Sequence, residues 1–251
     1  MKEINCNLCG KKDDEFLFEK NGYRIVKCKN CGLVYVNPQP EENEIEVFYQ
    51  REYKERKYPS NRKIKAKLRE ARRLINSIER IVKDKNDLEL LDIGCGFGYL
   101  LKAGMNRGWK VTGIEVAGWM VEYARRKFEV KAEVEKFPGT MFEPDSFEVI
   151  TLLEVLEHLP DPTLGLKEIY KILKEDGYLI IRVPNVESFP ARKDKINWRG
   201  FVLPDHLYFF SFDTLKKICE KCGFVYYRSI LNPPWRDILK VVFKKNRKRR
   251  S

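Results

Sequence analysis

Two groups of residues in this chain have the types and spacing to do chemistry. The first is a pair of thiol turns, Cys6-x-x-Cys9-Gly10 and Cys28-x-x-Cys31-Gly32, with 18 residues between the inner cysteines. Each tight turn can present two thiolates, and together they can close a tetrahedron around one ion, the donor set of structural zinc. Four cysteines leave no open position on that ion, so its expected role is architectural. The second group is the run LELLDIGCGFGYLL, residues 88–101, where an apolar stretch stops at Asp92 and turns through Gly94, Gly96 and Gly98.

That glycine turn is G-x-G-x-G, not the G-x-G-x-x-G that places a pyrophosphate on a helix N-terminus. Asp92, at the end of the strand, would repel a pyrophosphate and attract a cation. The following strand, KVTGIE, ends in Glu115, placed to accept hydrogen bonds from ribose hydroxyls. An acid on each strand favours S-adenosylmethionine, which carries a sulfonium and an ammonium and no phosphate, over a dinucleotide.

These residues must be held by a scaffold, and from residue 88 onward strand and helix patterns alternate. LELLDI, KVTGIE, FEVITLL, GYLIIRV, FVYYRSI and ILKVVF read as strands; helices are expected over YLLKAGMNRG, GWMVEYARRKF, 164–173 and 212–222. This predicts an α/β fold: a doubly wound, mainly parallel, Rossmann-like sheet of seven strands with ligands at the strands' carboxyl ends. The last two strands are too close for a crossover helix and should form an antiparallel hairpin. Ahead of this domain, FLFEKNGYRIVKC reads as two strands around Asn21-Gly22, giving a small zinc ribbon that needs its metal to fold. Between them, Ile64, Leu68, Ala71, Leu74, Ile75, Ile78, Ile81 and Val82 recur at steps of three and four, the apolar face of a covering helix. The expected organisation is a ribbon over 1–40, a helical linker and cover over 41–86, the cofactor domain over 87–245 and a basic tail over 246–251.

Composition bounds the remaining possibilities. The 251 residues suffice for one good-sized core and a small appendage. No window reaches the roughly 18 apolar residues of a membrane span, and the charged N-terminus lacks a signal peptide's apolar stretch, so a cytoplasmic protein is expected. Seven cysteines fit a reducing compartment, and scarce glutamine beside abundant Lys, Arg and Glu is a thermophile-like bias. The net charge of +12 is concentrated in two places: residues 62–73 carry seven bases against Glu70, and 244–250 carry six bases. The rest is balanced, unlike a chain built to grip nucleic acid along a whole face; a solvated helix face and a solubilising end are favoured over an anionic partner.

The motifs LDIGCGFG, GIEVAGWMVEYAR, SFEVITLLEVLEHLPDP, LKEDGYLIIRVPN and HLYFFSFDTLKKICEKCGF, in this order, resemble those of class I S-adenosylmethionine-dependent methyltransferases. The subgroup they are most similar to is the ubiquinone-biosynthesis O-methyltransferase type, in a version with an N-terminal zinc ribbon. The resemblance implies that Asp92, Gly94 and Gly96 line the methionine end of the cofactor, with Cys95, Gly98 and Val116 among the binding residues. It implies that Glu115 holds the ribose, Leu153 and Glu154 border the reacting methyl, and Glu135 or Lys136 meets the adenine.

An oxygen nucleophile must also lose a proton, and the chain has only two histidines to take it: His158 after the fourth strand and His206 on the long connection after the fifth. Both are candidate catalytic residues, with Glu154, against structural roles in holding a loop or capping a helix. In EVLEH, Glu154, Glu157 and His158 stand at i, i+3 and i+4, so a helical turn would put them on one side. Relatives with E-x-x-E-H are credited with magnesium there, a possible cofactor that is not favoured here. Phe189, Trp198, Phe201, Tyr208 and Phe209 could wall an aromatic or sugar-like acceptor, and Arg192, Lys193 and Arg199 could meet an anionic one; packing against the sheet edge explains the aromatics equally well. Asn232-Pro-Pro-Trp235 imitates an amino-methylation motif in the wrong place and reads as a turn, and Cys219-x-x-Cys222 reads as small buried hydrophobes. The expected function is methyl transfer to a small-molecule acceptor, most simply to oxygen of a quinone-, phenol- or sugar-like compound. An RNA methyltransferase and a non-enzymatic cofactor-binding or ribbon scaffold are the alternatives.

Overall fold

A computed structural model describes residues 1–41, 43–45, 47–48, 58–82, 88–230 and 237–246. The sequence-predicted turn at residues 232–235 and nearly all of the basic tail lie outside them. The chain opens with β1 (Asp14–Lys20) and β2 (Tyr23–Cys28), paired antiparallel with Lys20 opposite Tyr23. Asn21 and Gly22 both take positive φ, as a two-residue hairpin turn demands. β3 (Val34–Val36) adds to β2.

Helix α1 (Asn61–Glu79) begins at Ser60, whose hydroxyl accepts from the Lys63 amide. It buries Ile64, Ala71, Leu74, Ile75 and Ile78, the expected stripe, against the cofactor domain. The domain then runs β4 (Glu89–Ile93), α2 (Tyr99–Met105), β5 (Lys110–Glu115), α3 (Gly118–Phe128), β6 (Ala132–Val134), β7 (Phe147–Leu153), α4 (Pro162–Ile172) and β8 (Leu173–Pro184). Next come α5 (Phe189–Asp194), β9 (Tyr208–Phe209), α6 (Phe212–Lys221), β10 (Phe224–Ser229) and β11 (Ile238–Lys245). The seven-stranded sheet has the order β10-β11-β8-β7-β4-β5-β6. Strands β6, β5, β4, β7 and β8 run parallel, and β11 pairs antiparallel with both β8 and β10. The order reverses at β4, where β7 and β5 diverge, so a crevice opens at the carboxyl ends there.

The ribbon does not close on itself. β9, from the long connection after β8, pairs antiparallel with β3 and completes a four-stranded sheet β1-β2-β3-β9. Cys6, Leu8, Val26, Cys28, Leu33 and Tyr35 share one core with Leu156, Leu159, Leu207, Tyr208 and Phe210 of the larger domain. Among the described residues no helix is long and apolar enough to cross a membrane.

Candidate active site

The glycine turn sits at the switch point of the sheet. The amides of Gly94 and Cys95 both donate to the Ile114 carbonyl, tying the turn to the end of β5. A Cβ at Gly94 would lie 2.4 Å from Val155 Cγ2, and the residue's φ is +73°, so no other side chain fits without displacing the turn after β7. Gly98 opens α2 at φ +74°, where a Cβ would meet Ala124 Cβ at 2.8 Å. By contrast, the space at Gly96 is open, the nearest atom to an added Cβ being Met120 Sδ at 4.0 Å. The result is a backbone cradle with one empty side.

Glu115 closes that cradle. Its Oε2 accepts from the Gly96 amide at 3.0 Å and its Oε1 from the Ala117 amide at 3.1 Å, linking the turn to the start of α3. Asp92 lies deeper than its place in the sequence suggests: it is 3% exposed and its Oδ1 accepts from Thr151 Oγ1 at 2.5 Å. Burial pushes its carboxyl up to about 7, against the Thr151 bond that lowers it. Thr151 could not be singled out from sequence, because it reads as one more β-branched strand residue. The Cys95 side chain is buried toward Gly113, and burial raises its thiol.

The other expected cofactor residues ring the crevice. Val116 is exposed beyond Glu115; Glu135 is half-buried, with its amide on the Glu115 carbonyl at 3.2 Å; Lys136 is exposed beside it. Leu153 is half-buried at the end of β7. These residues and the cradle share one end of the sheet.

Residues 154–158 do not form the helical turn that would put Glu154, Glu157 and His158 on one side. Glu154 has φ 63° and only Leu156–His158 make a single 3-10 turn, so Glu154 is not stacked with Glu157 and His158. Its Oε1 instead faces Arg182 Nε at 3.2 Å, and Arg182 Nη1 bonds Glu70 of α1 at 2.8 Å. The carboxylate that does join His158 is Glu157, and His206 joins them from the long connection: the ligand atoms of these three lie within 4.8 Å of one another. Two imidazoles and one carboxylate are not the oxygen-rich set that magnesium takes.

The two imidazoles meet edge to face with ring centroids 4.6 Å apart. His158 Nδ1 faces Asp205 Oδ1 at 2.8 Å and the Asp205 carbonyl at 3.0 Å. Burial opposes the charge on His158, but the Asp205 carboxylate and then Glu157 outweigh it and raise the imidazole to about 9. His206 Nδ1 lies 2.7 Å from the Gly200 carbonyl, which can only accept, so this nitrogen carries the proton and Nε2 is left as an acceptor. Burial, and then the charge on His158, push His206 down to about 4. Glu157 is 1% exposed, and among the described residues neither of its oxygens has a hydrogen-bond partner; burial raises it to about 7. Asp205 and Glu157 thus belong to the site. Asp205 stands next to His206 in sequence, but nothing local aims it at His158.

The aromatic residues of the long connection are mostly turned away from the crevice. Trp198, Phe201 and Phe209 pack with Ile25, Val34 and Val36 of the ribbon sheet, and Tyr208 is 1% exposed. Trp198 Nε1 donates to Asp237 at 2.6 Å, and Ser188 Oγ donates to the same carboxylate at 3.0 Å. Arg199 pairs with Asp237 as well. Packing therefore accounts for these rings, while Phe189 is exposed. Cys219 and Cys222 are buried in and just after α6.

In the ribbon, Cys6 Sγ and Cys31 Sγ are 3.4 Å apart and Cys9 Sγ and Cys28 Sγ 3.5 Å, and all four sulfurs lie within 4.8 Å. Sulfurs at tetrahedral positions about 2.3 Å from one ion have separations of this order, so the four thiols fit a zinc-type site. Burial raises Cys6 well above an ordinary thiol and Cys31 to about 11, a cost that bound metal would offset.

The family model for a methyltransferase domain matches residues 64–229. Among curated proteins, a ubiquinone biosynthesis O-methyltransferase from Saccharophagus degradans is 30% identical over 158 residues, covering 55% of this chain and 67% of that protein. One of the same description from Idiomarina loihiensis is 35% identical over 105 residues, covering 39% and 42%. The chain thus spans between about two fifths and two thirds of the length of such relatives. Among solved structures, an S-adenosylmethionine dependent methyltransferase from Mesorhizobium loti has a TM-score of 0.56 at 13% identity, covering 67% of this chain and 96% of that one. A 1,6-didemethyltoxoflavin-N1-methyltransferase from Burkholderia thailandensis, solved with its acceptor and S-adenosylhomocysteine, has a TM-score of 0.60 at 16% identity, covering 94% of this chain and all 100% of that one. At these identities the structural likeness is one of fold. With the family model spanning most of the chain and the glycine cradle at the switch point of its sheet, the protein belongs to the class I S-adenosylmethionine-dependent methyltransferases.

Proposed function

We propose that the protein transfers a methyl group to an oxygen of a small hydroxylated acceptor, phenol-, quinol- or sugar-like, with His206 as the base. The observation that carries this reading is the pair of imidazoles packed edge to face, ring centroids 4.6 Å apart, at the end of the sheet that holds the cradle, with His158 on Asp205 and His206 on the Gly200 carbonyl. Paired titratable groups whose environments push them apart mark out proton-transfer roles. The oxygen preference also draws on the printed activity of the curated relatives.

The residues that would hold S-adenosylmethionine are the backbone at Gly94, Gly96 and Gly98, Glu115 with Val116 and Ala117 at the ribose side, and Asp92 beneath the loop, with Glu135, Lys136 and Leu153 at the rim. When bound, S-adenosylmethionine supplies an electrophilic methyl carbon on a sulfonium. His206 is neutral near pH 7, and its Nε2 can accept the hydroxyl proton as the new carbon–oxygen bond forms, when that oxygen has become strongly acidic. His158, kept cationic by Asp205, holds the acceptor oxygen in place by a charged hydrogen bond. Glu157, buried and without a hydrogen-bond partner among the described residues, offers an acceptor for a second hydroxyl. Arg182 draws Glu154 aside, so Glu154 acts as a border of the site and not as its base. Cys6, Cys9, Cys28 and Cys31 hold structural zinc in this reading, and the reduced thiols suit a cytoplasmic setting.

Calorimetric titration with S-adenosylmethionine and S-adenosylhomocysteine, followed by labelled-methyl transfer to a panel of catechols, hydroquinols and sugars, tests the proposal. Binding of both ligands and methylation of a hydroxyl are expected. Folded, zinc-replete protein that binds neither ligand, or that methylates only amines, overturns it.

A further inference from the structure

Two of the places where the ribbon is joined to the larger domain lie next to the two histidines. On the His206 side, Val34 pairs with Phe209 and Tyr35 with Tyr208 across the β3–β9 ladder, and the Val36 amide donates to the Leu207 carbonyl at 2.9 Å. The amide of Leu207 in turn donates to the Glu157 carbonyl at 2.9 Å, so one residue bridges the ribbon to the turn that carries His158. Tyr208 Oη adds a bond to the Pro160 carbonyl at 2.9 Å.

On the His158 side the contact comes from inside the first thiol turn. Asn7, between Cys6 and Cys9, accepts at Oδ1 from the Thr163 amide at 3.0 Å, and its Nδ2 donates to Asp161 Oδ1 at 2.8 Å. Thr163 Oγ1 also donates to the Asn7 carbonyl at 3.1 Å, and Lys221 Nζ donates to the Leu8 carbonyl at 2.8 Å. Asp161 is the N-cap of α4, three residues beyond His158. The cofactor cradle is held differently: Asp92 by Thr151, and Glu115 by Gly96 and Ala117, all within the seven-stranded domain.

We propose that the ribbon is a working part of the acceptor side: folded on its metal, it sets the placement of His158 against His206, with Asn7, Tyr35 and Val36 as its positioning residues. The physical reason is that neither histidine sits on a regular element of the large sheet. His158 ends a single 3-10 turn and His206 precedes a two-residue strand whose ladder partner is the ribbon itself. A two-residue strand takes much of its order from that partner, and the ribbon, with four thiols drawn together at its centre, takes much of its own from the ion they would hold. Metal, ribbon, β9 and the imidazole pair are therefore linked in series, while the cradle touches that series only where Gly94 faces Val155, at the start of the His158 turn. This inference rests on the reading of the imidazoles as acceptor-side groups only for its effect on turnover.

The chain has only two histidines, so imidazole NMR reads both without ambiguity. The experiment is a pH titration of the full-length protein, zinc-loaded and then stripped with a chelator, and of Asn7→Ala, which keeps all four thiols. S-adenosylhomocysteine binding is measured on each sample. Zinc-loaded wild type should show midpoints far apart, near 9 and near 4, and stripping should draw both toward 6.5 while S-adenosylhomocysteine still binds. Asn7→Ala should retain zinc, shift His158 in the same direction and lower kcat by about 10²-fold, the scale of a misplaced reacting group. Unmoved imidazole midpoints in stripped protein, or loss of S-adenosylhomocysteine binding together with global unfolding, would overturn the proposal. Imidazoles that follow the metal in a protein that methylates nothing would uphold the coupling and remove the base assignment instead.

Discussion

Asp205 Oδ1 stands 2.8 Å from His158 Nδ1, and this contact favours the charged form of one imidazole of a neighbouring pair. His158 is raised to about 9 by this carboxylate and by Glu157, against burial. His206, beside the resulting charge and buried, falls to about 4. A folded-state value above the ordinary 6.5 means that the His158–Asp205 pair contributes its full stability below about pH 6.5 and loses it as pH rises through about 9. Asp205→Asn should reduce this pH dependence, Glu157 remaining, so that the gap in thermal midpoint between wild type and variant narrows as pH rises through about 9. A constant gap between them across pH 6 to 10 would contradict the pairing.

His206→Gln should lower kcat by about 10²- to 10⁴-fold, the usual worth of a general base, with S-adenosylhomocysteine affinity unchanged. His158→Gln removes a stabilising charge and not the base, so its residual rate should lose the alkaline fall that deprotonation of His158 imposes on wild type. Steady-state kinetics over pH separates the two; equal effects with identical pH profiles would count against distinct roles.

Asp92 makes cofactor affinity pH-dependent. Its buried carboxyl is raised from an ordinary 3.8 to about 7, and a sulfonium or ammonium nearby favours the ionised form. Affinity for S-adenosylmethionine should therefore rise with pH and level off above about 7, with a slope of at most about tenfold per pH unit. Calorimetry between pH 5.5 and 8.5 measures this, and Asp92→Asn should be weaker and flat. A wild-type profile as flat as the variant's would show that Asp92 does not meet the cation.

Gly94→Ala tests the cradle. The new Cβ would meet Val155 Cγ2 at 2.4 Å on a backbone with φ +73°, so the turn carrying Val155 must move. A cost of about 1–3 kcal/mol in stability is expected from the backbone alone. S-adenosylhomocysteine binding should weaken in step, whereas Gly108→Ala, also at positive φ but with nothing within 4 Å, should cost stability without affecting binding. Thermal unfolding and calorimetry on both variants decide it.

What the sequence determined by itself was whatever depends on short spacing. Cys6, Cys9, Cys28 and Cys31 could be grouped because each C-x-x-C turn is local, and the fold brings their sulfurs within 4.8 Å. The period of α1 put Ile64, Ala71, Leu74, Ile75 and Ile78 on one buried face, since a helix repeats its side chains every turn. Alternating strands and helices were enough for the parallel sheet and for the cradle at its carboxyl edge. The spacing of Glu154, Glu157 and His158 puts them on one side only if they share a helical turn, and the φ of 63° at Glu154 prevents it. Only the tertiary structure decided that Glu154 turns to Arg182, that Asp205 reaches His158, that Trp198 and Phe201 pack beneath the ribbon, and that β9 completes the ribbon's sheet. Each of these joins residues far apart in the chain through backbone ladders or buried charge, and no local period records which strand edge or which carboxylate will be the partner.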